Sequence, residues 1–184
     1  MVFQTALSVF STLPLLAESR IWTSTSGSTI EANYIGVFDE VLWVEATQTG
    51  RILKMPRKYV SATDIEVIQN GTVAPLVRPG SVDCDIESLA LLEALLTSDS
   101  PSNTSKDAQP LSLVIKTLIK PIQETRAEDK KIPVKFSRRK DQKILVSGDC
   151  AADNTYLALC VLAQKNGLAL YLREGGIVFL RSQP

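Results

Sequence analysis

The chain contains no histidine, which removes the commonest general base and the commonest metal ligand of proteins. Ser/His and Cys/His arrangements are therefore excluded, and no glycine-rich phosphate loop is present. Asp149 and Asp153 flank a turn into a predicted helix and are interpreted as helix caps. That helix is predicted over residues 155–165, with Asp153 or Asn154 as its cap and Asn166-Gly167 as its end. We therefore expect no enzymatic activity, no catalytic residue, no metal site and no cofactor.

Cysteine is also scarce. The three residues Cys84, Cys150 and Cys160 lack the spacing of a metal site, and their odd number does not make a disulfide framework. Cys160 lies in an apolar helical pattern and is expected to be a small buried side chain. A disulfide between Cys84 and Cys150 in an oxidising compartment stays an open alternative.

No apolar run is long enough to span a bilayer. The run from Ala6 to Ala17 has the length of the hydrophobic region of a signal peptide, which we predict over residues 1–17. A periplasmic or secreted protein follows from this prediction. The cleavage context is weak and the usual basic residue is missing, so the alternative is an N-terminal helix or strand of a cytoplasmic protein.

The formal net charge is zero but unevenly distributed, because residues 106–184 hold 14 basic against 8 acidic residues. Half of the residues in 130–143 are basic. Lys135, Arg138, Arg139 and Lys140 are the candidate surface for an anionic partner. The alternative is an ordinary solvated face of a strand pair. A nucleic-acid partner is not expected, since the stretch has a single aromatic residue.

The segment from residue 20 to residue 69 is predicted to hold short strands and a closing helix. Residues 30–37, 41–46 and 51–55 are rich in strand formers and are separated by turn residues. Ser61 and Asp64 form a capping box that starts a helix over 62–69, and Asn70-Gly71 ends it. This layout is typical of a small SH3-like β-barrel.

The same segment resembles the Sla-homology domain, type one, over residues 20–68. The resemblance is carried by R-I-W-T, I-E-A, Y-I-G, V-L-W-V, G-R, M-P and V-S-x-x-D, in this order. The family was named from a fungal endocytic adaptor of the clathrin and actin machinery and also occurs in exported bacterial proteins. The resemblance implies an SH3-like fold and, for the fungal member, recognition of Asn-Pro-Phe-x-Asp peptides.

Five residues of this segment are candidate ligand-binding residues: Trp22, Trp43, Arg51, Lys54 and Lys58. The family has an aromatic residue at the first of these positions and a basic residue at the third. The alternative for the two tryptophans is a role as core filler. The alternative for the three basic residues is solvent exposure along an edge strand.

Residues 72–108 are predicted to connect two regions. Within them, residues 86–96 form a short helix that is apolar over most of its circumference and must pack on another surface. That surface is the barrel, the C-terminal region or a second copy of the chain in a homo-oligomer. Residues 97–109 read as a polar linker. The predicted domains are thus 18–71 and 109–184.

The apolar pattern of residues 109–184 predicts the order helix, strand, strand, helix, strand, strand. We expect a small α/β sandwich with two helices on one face of a four-stranded sheet, giving an α+β protein. Pro121 is expected to kink or shorten the first of these helices. Residues 109–182 resemble the short N-terminal modules of secretins and TonB-dependent outer-membrane receptors. The resemblance is carried by Leu162 to Leu180, which is similar to the second half of the module, and it implies a periplasmic setting and a role in assembly or docking.

The expected function is that of a non-enzymatic adaptor that binds a peptide or protein through the SH3-like barrel. One alternative is a structural docking component of a bacterial envelope assembly that acts through the C-terminal sandwich. The other is a binder of an anionic partner through residues 130–143.

Overall fold

The computed structural model describes residues 19–100, 107–126, 131–146 and 152–181. These residues form a mixed α+β fold with four α-helices and sheets of four, two and three strands. The strands are β1 (Ser19–Thr23), β2 (Thr29–Phe38), β3 (Val41–Ala46), β4 (Ile52–Pro56), β5 (Gln109–Pro110), β6 (Val134–Phe136), β7 (Leu145–Val146), β8 (Leu168–Arg173) and β9 (Gly176–Arg181). The helices are α1 (Ala62–Gln69), α2 (Ile86–Thr97), α3 (Leu111–Glu124) and α4 (Thr155–Lys165), with short 3₁₀ turns at Arg57–Tyr59 and Arg139–Lys143.

The N-terminal sheet is antiparallel, with the order β1-β2-β3-β4, and it is not closed into a barrel. A single bridge between Ser24 and Val60 links the end of β1 to the segment after β4. The register of β2 against β3 shifts between Tyr34 and Gly36, which leaves Ile35 as a β-bulge. The mixed α+β composition expected from the sequence is therefore present. The N-terminal sheet itself is open.

Both faces of this sheet are buried. One face packs against α1 through Trp22, Tyr34, Leu42, Val44 and other apolar side chains. On the other face, Ile35, Phe38 and Trp43 belong to the larger core that also includes the helices of the C-terminal half. The bulge at Ile35 shifts the alternation of β2 by one residue, so Phe38 lies in the same core as Ile35, whereas Ala32 and Tyr34 lie in the other.

Helix α2 is the element that joins the two halves. Asp85 caps its start by accepting a 2.8 Å hydrogen bond from Ser88 N. Its leucines at 91, 92, 95 and 96 are buried in the large core, which also includes Ile35, Phe38 and Trp43 of the N-terminal sheet, and α2 contacts α3, α4 and β8. These four leucines are thus covered within the chain, whereas Ile86 is 87% exposed, and the homo-oligomer stays a prediction. The domain limits stay a prediction.

The C-terminal half differs from the expected four-stranded sheet. It contains a three-stranded sheet, β6-β9-β8, in which β6 is parallel to β9, and a separate two-stranded sheet, β5-β7. The predicted fourth strand of this sheet is wrong, because Leu145 and Val146 pair with Pro110 and Gln109 in the separate sheet instead. A 3₁₀ turn directs this strand to the start of α3, where Leu111 N donates to Ile144 O at 2.7 Å. Helix α3 continues past Pro121.

Some predictions fall outside the described residues. These are the signal peptide over 1–17, the thiol of Cys150 and a large part of the polar linker. Cys84 is exposed, and its pairing with Cys150, which the sequence left open, stays open. Among the helices that the structure describes, none combines the length and the apolar character needed to cross a membrane.

Candidate functional site

Trp22 is a core residue of the N-terminal sheet. Its side chain is 1% exposed, its ring packs against Tyr34 at 5.4 Å between centroids, and Nε1 donates a 3.0 Å hydrogen bond to Ala32 O. The guanidinium of Arg20 lies 4.7 Å from the ring centroid. A buried indole with its N–H satisfied stabilises the sheet and offers no surface to a ligand.

Trp43 is buried on the opposite face of the same sheet. It is 3% exposed and meets Phe38 edge to face at 5.3 Å. The ammonium group of Lys54 lies 4.3 Å from its ring centroid and forms an ion pair of 2.7 Å with Glu93 of α2. Lys54 therefore connects the sheet to α2 through a cation–π contact and an ion pair, a role that the sequence did not reveal.

Arg51 and Lys58 are exposed. Lys58 lies after β4, with its ammonium group 5.0 Å from the ring of Tyr59, which is itself 52% exposed. Arg51 lies in the β3–β4 hairpin. The five candidate ligand-binding residues therefore do not form one surface, because the two tryptophans face opposite cores and the three cations are distributed along one hairpin and its end.

Arg51 does line a groove at the end of the N-terminal sheet where β2 begins and β3 ends. The groove has a volume of about 430 Å³. Its lining residues are Ile21, Thr29, Ile30, Glu31, Ala46, Gln48, Thr49, Arg51 and Leu53. It combines apolar side chains with one cation and one carboxylate, which suits an extended peptide.

Ile21 is a surface residue of this groove that was not predicted from the sequence. Ile21 is 62% exposed, although it neighbours a fully buried tryptophan. Alternation along a strand carries the signal, since a buried Trp22 requires the side chain of Ile21 to point to the other side. Ile21 therefore adds exposed apolar surface to the lining of the groove.

A second cleft, of about 290 Å³, lies between the N-terminal sheet and the start of α4. Its acidic lining residues are Glu45, Asp99 and Asp153. Asn154 is already engaged as the cap of α4, because its Oδ1 accepts a 2.9 Å bond from Leu157 N. In the part of the chain that the structure describes, no group of three or more acidic or cysteine residues is placed to hold a metal ion.

The predicted anionic-partner residues lie together around β6. Lys135, Arg138, Arg139 and Lys140 are all exposed. Lys135 approaches Glu174 at 3.8 Å, whereas the other three have no ion pair within the described ranges. Asp141, the acidic residue of this stretch, is 1% exposed and bonded to Arg181 at 2.6 Å. The carboxylate of Asp141 is therefore paired with Arg181 and not with the exposed cations.

Cys160 lies on α4 and was predicted to be buried; its side chain is partly buried and packs against the large core. Burial raises the pKa of its thiol to about 11. Burial also raises the pKa of the neighbouring Tyr156 hydroxyl well above its ordinary value. Both groups stay protonated at neutral pH, so the thiol is a poor nucleophile.

Comparison with known proteins adds no relative to this description. No family model matches the chain, and neither a curated protein nor a solved structure matches it.

Proposed function

We propose that this protein is a non-enzymatic binding module whose N-terminal region, an SH3-like unit, accepts a short extended peptide in the groove beside Arg51. The observation that carries the proposal is the groove of about 430 Å³, which joins an apolar floor of Ile21, Ile30 and Leu53 to the guanidinium of Arg51, with the carboxylate of Glu31 also in its lining. The strand order β1-β2-β3-β4 and the bridge between Ser24 and Val60 support the SH3-like part of the proposal.

The chemistry of the groove favours a peptide with one apolar side chain and one carboxylate. Ile21, Ile30 and Leu53 provide apolar surface at one end of the sheet, and burying such surface drives association. Arg51 offers a planar fork of donors that fits a carboxylate. A Phe and an Asp in one short peptide, as in the Asn-Pro-Phe-x-Asp signal, supply both groups.

The test is fluorescence polarisation with a labelled Asn-Pro-Phe-x-Asp peptide and the full chain. Arg51→Glu is expected to weaken binding by roughly tenfold or more, because attraction becomes repulsion. Lys58→Glu makes the same charge change on an exposed side chain outside the groove and is the matched control. Ile21→Ser tests the apolar floor without changing charge.

Two results would refute the proposal. One is the absence of peptide binding by the wild-type chain at any accessible concentration. The other is equal binding by the wild type, Arg51→Glu and Lys58→Glu, because the groove would then play no part in capture.

A further inference from the structure

Strand β6 is an edge of the three-stranded sheet. On one side it is bonded to β9, since Ile177 N donates to Pro133 O at 2.8 Å and Ser137 N donates to Phe179 O at 2.9 Å. Backbone polar groups alternate between the two sides of a strand, so those of Val134 point away from β9. The same holds for Phe136. No strand among the described residues pairs with that side.

The opposite edge of this sheet is closed by the chain itself. Val82 forms a parallel bridge with Leu172 of β8. Asp83 N donates to Leu172 O at 3.0 Å, and Leu172 N donates to Ser81 O at 2.8 Å. The connector therefore already acts as an added strand at β8, which shows that this sheet accepts an extended segment at an edge.

Positive charge marks the open edge. Lys135 lies on β6, and Arg138, Arg139 and Lys140 follow it directly, all with exposed side chains. Asp141 does not neutralise them, because it is buried and bonded to Arg181. Cations along an edge strand oppose pairing with another copy of the same edge, since like charges would be brought together.

We propose that the β6 edge binds an acidic, extended segment of a partner protein by strand addition. The backbone of that segment would bond with the outward N–H and C=O groups of Val134 and Phe136. Its carboxylates would pair with the cations of Arg138, Arg139 and Lys140. This surface lies on a different sheet from the groove beside Arg51, so the two binding activities are separable.

The first test compares three fluorescein-labelled peptides of equal net charge on the full wild-type chain. One alternates glutamate and valine, the second is the same peptide N-methylated at every second residue, and the third carries prolines in place of the valines. The alternating peptide is expected to bind tightest. Each lost backbone hydrogen bond is expected to weaken binding by roughly fivefold.

The second test uses variants of the chain. Val134→Pro removes one outward N–H while keeping an extended backbone, and it is expected to weaken binding of the alternating peptide by about fivefold. Arg138→Glu/Arg139→Glu is expected to weaken it more. Lys116→Glu/Lys165→Glu, on exposed positions of α3 and α4, is the matched charge control. Circular dichroism verifies the fold of each variant.

Equal binding of all three peptides would overturn the proposal, because it would show attraction by charge alone. Wild-type affinity in a folded Val134→Pro chain would overturn it as well. If Val134→Pro fails to fold, the comparison of the alternating and N-methylated peptides on the wild type decides. Arg51→Glu is expected to retain full binding of the alternating peptide, which separates this surface from the groove.

Discussion

Asp64 connects α1 to β1, and its removal is expected to cost a large part of the stability of the N-terminal region. The residue is 3% exposed. Its Oδ1 accepts a 2.6 Å bond from Arg20 Nη2, while Oδ2 accepts bonds from Thr23 N at 2.7 Å and from Ser61 Oγ at 2.9 Å. In return, Asp64 N donates to Ser61 Oγ at 3.2 Å, which completes the capping box.

The cost of Asp64→Ala can be worked out from these contacts. Thr23 N would lose its acceptor in a partly buried site, which costs about 1–3 kcal/mol. The side chain of Arg20 is 24% exposed and regains water, so the lost ion pair adds only about 1 kcal/mol. Ser61 still caps the helix. We therefore expect a decrease of about 3 kcal/mol in the free energy of unfolding.

Guanidinium denaturation followed by tryptophan fluorescence is a direct assay, because Trp22 lies beneath Arg20. Asp83→Ala is the matched control, since Asp83 is exposed and lies 4.0 Å from Arg173; a change below about 0.5 kcal/mol is expected there. Asp64→Asn is expected to fall between the two, because an amide oxygen still accepts from Thr23 N. Equal losses for Asp64→Ala and Asp83→Ala would refute the reasoning.

Two further predictions concern a close contact and a buried thiol. In Gly176→Ala the new Cβ would lie 2.7 Å from Pro133 Cγ and 3.0 Å from Pro133 O, so we expect a loss of about 2 kcal/mol in thermal unfolding; an unchanged melting temperature would contradict this. Burial raises the pKa of Cys160 from 9.0 to about 11, so the unfolded chain ionises first and stability falls as pH rises from 9 to 11. Cys160→Ala is expected to lose less stability than the wild type between pH 8 and 10.5, and equal losses in the two chains would contradict the assignment.

The features that the sequence predicted well depend on neighbouring residues. Helix α1 begins after Ser61 and ends at Gln69, as the capping box and Asn70-Gly71 indicated. Helix α4 has its predicted limits, because Asn154 caps its start and Asn166-Gly167 follows its end. Caps and stop signals act within one helical turn, so they can be read from the sequence without knowledge of the fold.

The features that were missed depend on distant partners. The pairing of Leu145 with Pro110 joins two very short strands, and Leu145 is 65% exposed, so no apolar pattern marks its sheet. Gly36 indicated a turn or a bulge, but the bulge at Ile35 also changes which side chains of β2 share a face, and strict alternation along the strand does not predict this. The groove beside Arg51 assembles residues from β1, β2 and the β3–β4 hairpin. Among its lining residues, Arg51 alone was a predicted ligand-binding residue.

Two-sided burial of the N-terminal sheet limits where this protein can bind a partner. Leu42, Trp43 and Val44 form a continuous buried run, as in a sheet covered on both faces rather than an alternating, half-exposed strand. Because Trp22 and Tyr34 are buried in one core and Phe38 and Trp43 in the other, a ligand cannot reach the aromatic residues on either side. Binding is then left to the ends and edges of the sheets, which is where the groove beside Arg51 and the open side of β6 lie.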